Sequence, residues 1–126
     1  MSKQQDVKSC PPSRWFLLKQ KLNNLTPESF VDKIHETPDA VILDVRKSDE
    51  LCNGSLPDSV NINYFDYDFW EVIKKMDPNR PYFVYCQSGR RSIRACTLMK
   101  NGGFKRIYNL DGGLNNMPKK YLIPSS

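Results

Sequence analysis

Cys86 is followed by Gln87, Ser88, Gly89, Arg90, Arg91 and Ser92, with the apolar run "PYFVY" before it and "IRACTLM" after it. A cysteine at the end of a buried strand, ahead of a glycine-containing loop and a helix start, has its sulfur near unpaired backbone N–H groups and the positive end of the helix. Both effects favour thiolate over thiol. Gly89 permits backbone angles barred to other residues, so successive N–H groups can turn inward as an anion nest. Arg90 and Arg91 add permanent positive charge, and Ser88 and Ser92 add hydroxyl donors. The expected chemistry is nucleophilic attack by Cys86 on a bound anion. A tetrahedral oxyanion or an anionic sulfur species suits the cradle, with Gln87 to Ser92 as the substrate-binding loop. The plain alternative is a small buried thiol beside ordinary surface arginines and serines. The joint arrangement of strand, cysteine, glycine, arginine pair and helix start argues against it.

The elements that must position this loop can be read from periodicity. "TPESFVDKIHE" opens with a threonine N-cap and a proline at the first helical position, and places Phe30, Val31 and Ile34 on one helical face. "AVILDV", "SVNINY", "PYFVYC" and "KRIYNL" read as strands. "DYDFWEVIKKM" and "SIRACTLMKNGG" read as helices between them, the second stopped by glycine. Helices alternating with short apolar strands predict an α/β domain, a mainly parallel central sheet flanked by helices on both faces. In such a fold, ligands bind beyond the carboxyl ends of the strands, where Cys86 stands. Asp44 and Arg46 in "DVR" fall on the same rim as supporting residues, and Arg46 is spaced to pair with Glu50 one helical turn on. "DGGLNNMP" is expected to be a loop on the same side.

The composition narrows the class. A chain of 126 residues, 39% hydrophobic and 26% charged, has the make-up of one globular domain. The net charge of +5 is concentrated: residues 1–25 hold five Lys/Arg against Asp6 alone, and the remainder is nearly balanced. We expect residues 1–23 to be a basic N-terminal extension, with Trp15, Phe16 and Leu17 available to pack on a domain spanning 24–126. A mobile solvated tail explains that charge more simply than nucleic-acid binding. No apolar stretch is long enough for a membrane span, and the N-terminus lacks the apolar core of a secretory signal. A cytoplasmic protein acting away from nucleic acid and membrane is the expectation. Cysteines at 10, 52, 86 and 96 show neither the pairing nor the histidine clusters of zinc sites, and His35 is the single histidine. No metal and no cofactor are expected. Cys96 is read as a core thiol, Cys10 as incidental, and Cys52 as a rim residue.

The blocks "LTPESF", "ILDVR", "GSLPDSVNI", "YCQSGRRS" and "NGGFKRIYNLDGGL", in this order over about residues 24 to 118, resemble the single-domain rhodaneses, or thiosulfate sulfurtransferases. The resemblance implies that Cys86 carries sulfur as a persulfide and that Gln87 to Arg91 complete the active-site loop. It also implies that Asp44 and Arg46 brace the loop. The implied partners are a small anionic sulfur donor and a sulfur-accepting thiol or protein. One departure is Ser55, which stands where the family commonly has histidine after the glycine. A cysteine-dependent phosphatase or arsenate reductase is the rival on a shared fold. Such phosphatases characteristically separate cysteine and arginine by five residues, whereas four separate Cys86 from Arg91 and the next position is Ser92. A non-catalytic partner-binding module would be expected to lack the nucleophile or the loop charges.

Overall fold

The computed structural model describes residues 14–123, except for the side chains of Trp15 and Asn53. Five strands, β1 (Asn23–Leu25), β2 (Val41–Asp44), β3 (Ser59–Asn61), β4 (Pro81–Tyr85) and β5 (Arg106–Leu110), form one sheet in the order β1-β5-β4-β2-β3. Every pairing in it is parallel. The helices are α1 (Arg14–Gln20), α2 (Pro27–Glu36), α3 (Phe69–Ile73) and α4 (Arg90–Asn101). Short 3-10 turns occupy Ser48–Asn53, Gly113–Asn116 and Lys119–Tyr121. No helix among the described residues is long and apolar enough to cross a membrane.

β4 lies at the centre of the sheet and all five of its residues are buried. Its alternate side chains feed two cores, as the period of two requires. On one face Tyr82, Val84 and Cys86 pack with Phe69 and Ile73 of α3 and with Ala95, Cys96 and Met99 of α4. On the other, Phe83 and Tyr85 pack with Phe30 and Val31 of α2 and with Leu114 and Met117. Phe83 is met edge-on by Phe30 and stacks on Tyr108. The α2 start is set by Thr26, whose Oγ1 accepts from Ser29 N, with Pro27 where no N–H is needed.

The strand order reverses between β2 and β4, since the chain leaves β2 for β3 on one side and returns to β4 on the other. This switch point opens a crevice at the carboxyl ends of the two strands. Asp44 is paired with Tyr85 in register, and Val45 N donates to Tyr85 O, so "DVR" and the loop after Cys86 emerge side by side.

The structure differs from the expectation in several places. Within residues 1–23, α1 and Asn23 take regular structure that the reading of an extension does not name: α1 lies against α4, and Asn23 opens β1 by pairing with Tyr108 at the sheet edge. Phe16 and Leu17 remain about half exposed, and Cys10 lies outside the described residues. α3 is shorter than "DYDFWEVIKKM", starting after Asp68 and ending before the Asp77–Arg80 turn. α4 begins at Arg90, two residues earlier than the apolar pattern indicates, because Gly89 in a left-handed conformation turns the chain directly into the helix. Arg46 does not pair with the Glu50 carboxylate. The chain after Val45 forms a 3-10 turn, not an α-helix, and Asp44 takes the guanidinium.

Candidate active site

Cys86 is the first residue beyond β4 and is fully buried. Its Sγ accepts from Gly89 N at 3.0 Å and from Ser92 N at 3.4 Å, and lies 3.6 Å from Ser92 Oγ. The loop therefore wraps the sulfur with backbone donors and sets it at the first turn of α4. Backbone N–H groups and a helix N-terminus are groups that stabilise negative charge placed among them. Gly89 makes the wrap possible with φ of +94°, and a Cβ there would lie 3.3 Å from Gly112 N.

A second loop backs the first. Leu114 N donates to Cys86 O and Asn115 N to Gln87 O, both at 3.0 Å. A Cβ at Gly113 would come within 2.6 Å of both carbonyl oxygens, so "DGGLN" supports the loop after Cys86 by close backbone approach. Behind the sulfur runs a polar chain absent from the sequence reading. Ser92 Oγ is 2.7 Å from Asn109 Oδ1 and also bonds Gly89 O, and Asn109 Nδ2 donates to Asn24 Oδ1. Asn109 is buried in β5. The signal in the sequence is a single asparagine in the apolar strand "RIYNL", two residues from the core-facing Ile107.

Asp44 and Arg46 are buried together beside this loop. Arg46 Nε and Nη2 donate to the Asp44 carboxylate, Nη1 to Glu50 O and to Gln87 Oε1, and Nη2 also to Gly54 O. All five guanidinium N–H groups have an acceptor, so Arg46 ties "DVR", the 48–54 turn and Gln87 into one body. Gln87 Nε2 donates onward to Asn115 Oδ1. A cavity of about 410 Å³ opens beside Gln87, lined also by Arg46, Asn115 and Lys119.

Arg91 leaves the start of α4 and forms a two-pronged ion pair with Glu50, Nη1 to Oε1 and Nη2 to Oε2, the latter at 2.7 Å. Its guanidinium also lies 5.7 Å from the centroid of the Phe65 ring. The hydrogen bond from Arg91 is the main reason the Glu50 carboxyl is held down at about 2, well below the usual carboxylate range. Ser88 and Arg90 are exposed on the outer surface of the loop. Cys86, Gly89 and Ser92 thus meet at the sulfur, Gln87 faces Arg46 and Asn115, and Arg91 faces Glu50. Cys96 is wholly buried, and burial pushes its thiol far up. Cys52 is exposed, with its sulfur 3.5 Å from Asp49 O.

Comparison with known proteins gives a consistent family. A model of the rhodanese-like domain matches residues 26–119. The chain is 30% identical over 95 residues to a sulfurtransferase of Allochromatium vinosum, covering 74% of this chain and 85% of that protein. It is 32% identical over 74 residues to the thiosulfate sulfurtransferase GlpE of Pseudomonas savastanoi, covering 59% of this chain and 68% of that one. Among solved structures, the polysulfide-sulfur transferase homodimer of Wolinella succinogenes superposes with a TM-score of 0.73 at 25% identity, over 90% of this chain and 86% of that one.

Proposed function

From the premise that the chain belongs to the rhodanese-like domain family, we propose that it is a sulfurtransferase working through a Cys86 persulfide. The sulfane sulfur comes from thiosulfate or a similar donor and passes to a thiophilic acceptor. The observation that carries this reading is the seat of Cys86 Sγ under Gly89 N and Ser92 N at the start of α4.

In the first step the Cys86 thiolate attacks the outer sulfur of the donor. With thiosulfate, a Cys86 S–S bond forms and the donor S–S bond breaks. Sulfite leaves with the bonding electron pair as a stable dianion, and the charge remains on the new persulfide. No proton has to be supplied, so backbone donors suffice. In the second step a cyanide ion or a thiolate attacks the outer sulfur of the persulfide, carries it away and returns the Cys86 thiolate. The N–H groups that hold the thiolate hold the persulfide anion between the steps. The loop braced by Arg46, Gln87 and the Gly113 backbone keeps this geometry rigid. The cavity beside Gln87 gives the acceptor a place to approach.

The direct test is turnover: thiocyanate formed from thiosulfate and cyanide by wild type and by Cys86→Ser. Turnover that disappears in the variant supports the reading. Hydrolysis of an aryl phosphate by the wild type without thiocyanate formation would replace it with the phosphatase alternative.

A further inference from the structure

The charges at the mouth of the site point to the class of donor. Arg91 is largely covered, with 15% of its side chain exposed, and both prongs of its guanidinium are taken by the Glu50 carboxylate, itself 28% exposed. Phe65 lies against the same guanidinium. Arg46, the other arginine that braces the loop, has every N–H committed to Asp44, Glu50 O, Gln87 and Gly54. Glu50 is also fixed in place, because its main-chain oxygen is held by Arg46 and its carboxylate accepts from Lys47 N. Arg91, the largely covered cation of the loop, thus comes to the site already paired with a carboxylate, and the sulfur that a donor must reach is fully buried.

We propose that Glu50 is the specificity-determining residue of the site: by neutralising Arg91 it favours sulfane donors of low charge, organic persulfides of the type RSSH, over dianions such as thiosulfate. This inference rests on the sulfur-transfer reading. The step balances without any further reagent. The Cys86 thiolate attacks the outer sulfur of RSSH, the Cys86 S–S bond forms and the R–S–S bond breaks. The departing RS takes the bonding pair and the proton as RSH, and the persulfide anion stays on Cys86. Through its pairing with Arg91 at the start of α4, the Glu50 carboxylate acts on a dianion at the loop with twice the energy it exerts on a monoanion in the same place. The factor it imposes on the dianion is therefore the square of that on the monoanion.

The test uses full-length wild type, Glu50→Gln and Glu50→Asp, with thiosulfate and 2-hydroxyethyl persulfide as donors. The readout is the rate at which the Cys86 peptide gains one sulfur by mass. Glu50→Gln removes the charge and keeps the side-chain length, and should speed loading from thiosulfate about ten-fold, with about three-fold or less from the persulfide. Glu50→Asp should keep the wild-type ratio of the two rates. Equal changes for both donors, or slower loading from thiosulfate in Glu50→Gln, would overturn the proposal.

A second readout is independent of sulfur chemistry. The rate of Cys86 alkylation by anionic iodoacetate relative to neutral iodoacetamide should rise about three-fold in Glu50→Gln, and an unchanged ratio also overturns the proposal. Loading from neither donor with the alkylation ratio shifted would overturn the sulfur-transfer reading, and the donor preference with it, while the charge effect of Glu50 stood.

Discussion

Gly113→Ala probes the support under the loop after Cys86. A methyl group at this position would sit 2.6 Å from the carbonyl oxygens of Cys86 and Gln87, about 0.8 Å short of the 3.4 Å where ordinary contact begins. Those carbonyls cannot simply retreat, because they accept the Leu114 and Asn115 N–H groups. Gly113 also has φ of +65°, where an alanine is strained. Backbone strain costs about 1 to 3 kcal/mol, and forcing a methyl into a filled space about 1 to 3 kcal/mol more. Gly103→Ala is the control: its φ is +100° and nothing lies within 4 Å of the added Cβ, so only the backbone cost applies. The backbone cost is no smaller at φ of +100° than at +65°, so the difference between the two variants is a lower bound on the clash, about 2 kcal/mol, or a melting temperature roughly 8 °C lower for Gly113→Ala. The loop must also shift by a large part of an ångström, so sulfur loading of Cys86 should slow by about ten-fold or more while Gly103→Ala loads as wild type does. Calorimetry and timed mass analysis of the Cys86 peptide measure both. If the two variants melt alike and load alike, the 112–116 turn does not support the loop and the reasoning fails.

Three further outcomes follow from the site. Glu50 has its carboxyl lowered to about 2 in the folded state, so its ion pair contributes stability that is fully present above the unfolded value of about 4.3 and is lost as pH falls through about 2. The stability gap between wild type and Glu50→Gln, measured by urea titration, should be constant above about pH 5 and shrink between about pH 4 and 2. Asn109→Leu should cost about 1 to 3 kcal/mol by removing the partner of Ser92 and Asn24. Combined with Ser92→Ala in a double-mutant cycle, it should cost less than the two single changes together, since both break one bond. Cys96, with its thiol pushed up by burial, should stay unlabelled by iodoacetamide in the folded protein at neutral pH and react only in denaturant, as peptide mapping would report.

Much of this architecture was legible because its signals are local. The Thr26–Pro27 start of α2 and the apolar run of β4 each follow from residue type at a fixed spacing, whereas the start of α4 at Arg90 depends on the left-handed turn that Gly89 takes. β1 was not legible: "NNL" carries no apolar run, and its three residues are a strand only because β5 offers them a parallel partner. The role of Glu50 was misassigned for a related reason. Its four-residue spacing from Arg46 suits a helix, but the chain there forms a 3-10 turn, and the partner it meets is Arg91, 41 positions away. Asn109 was missed because a polar residue in a buried strand gains meaning only when its neighbour is known, here Ser92 from a different element. The loop from Cys86 to Ser92 was legible as a glycine-containing turn between a buried strand and a helix, yet its sequence does not distinguish the inward Ser92 and the largely covered Arg91 from the exposed Ser88 and Arg90.

The central claim, that Cys86 carries sulfur covalently, is tested most directly by intact-protein mass spectrometry after incubating the reduced protein with a sulfane donor, thiosulfate and an organic persulfide in turn. The account predicts the gain of one sulfur atom on wild type, located on the Cys86 peptide, removed by cyanide and absent in Cys86→Ser. A wild-type mass unchanged by either donor, or an equal gain in Cys86→Ser, would contradict it.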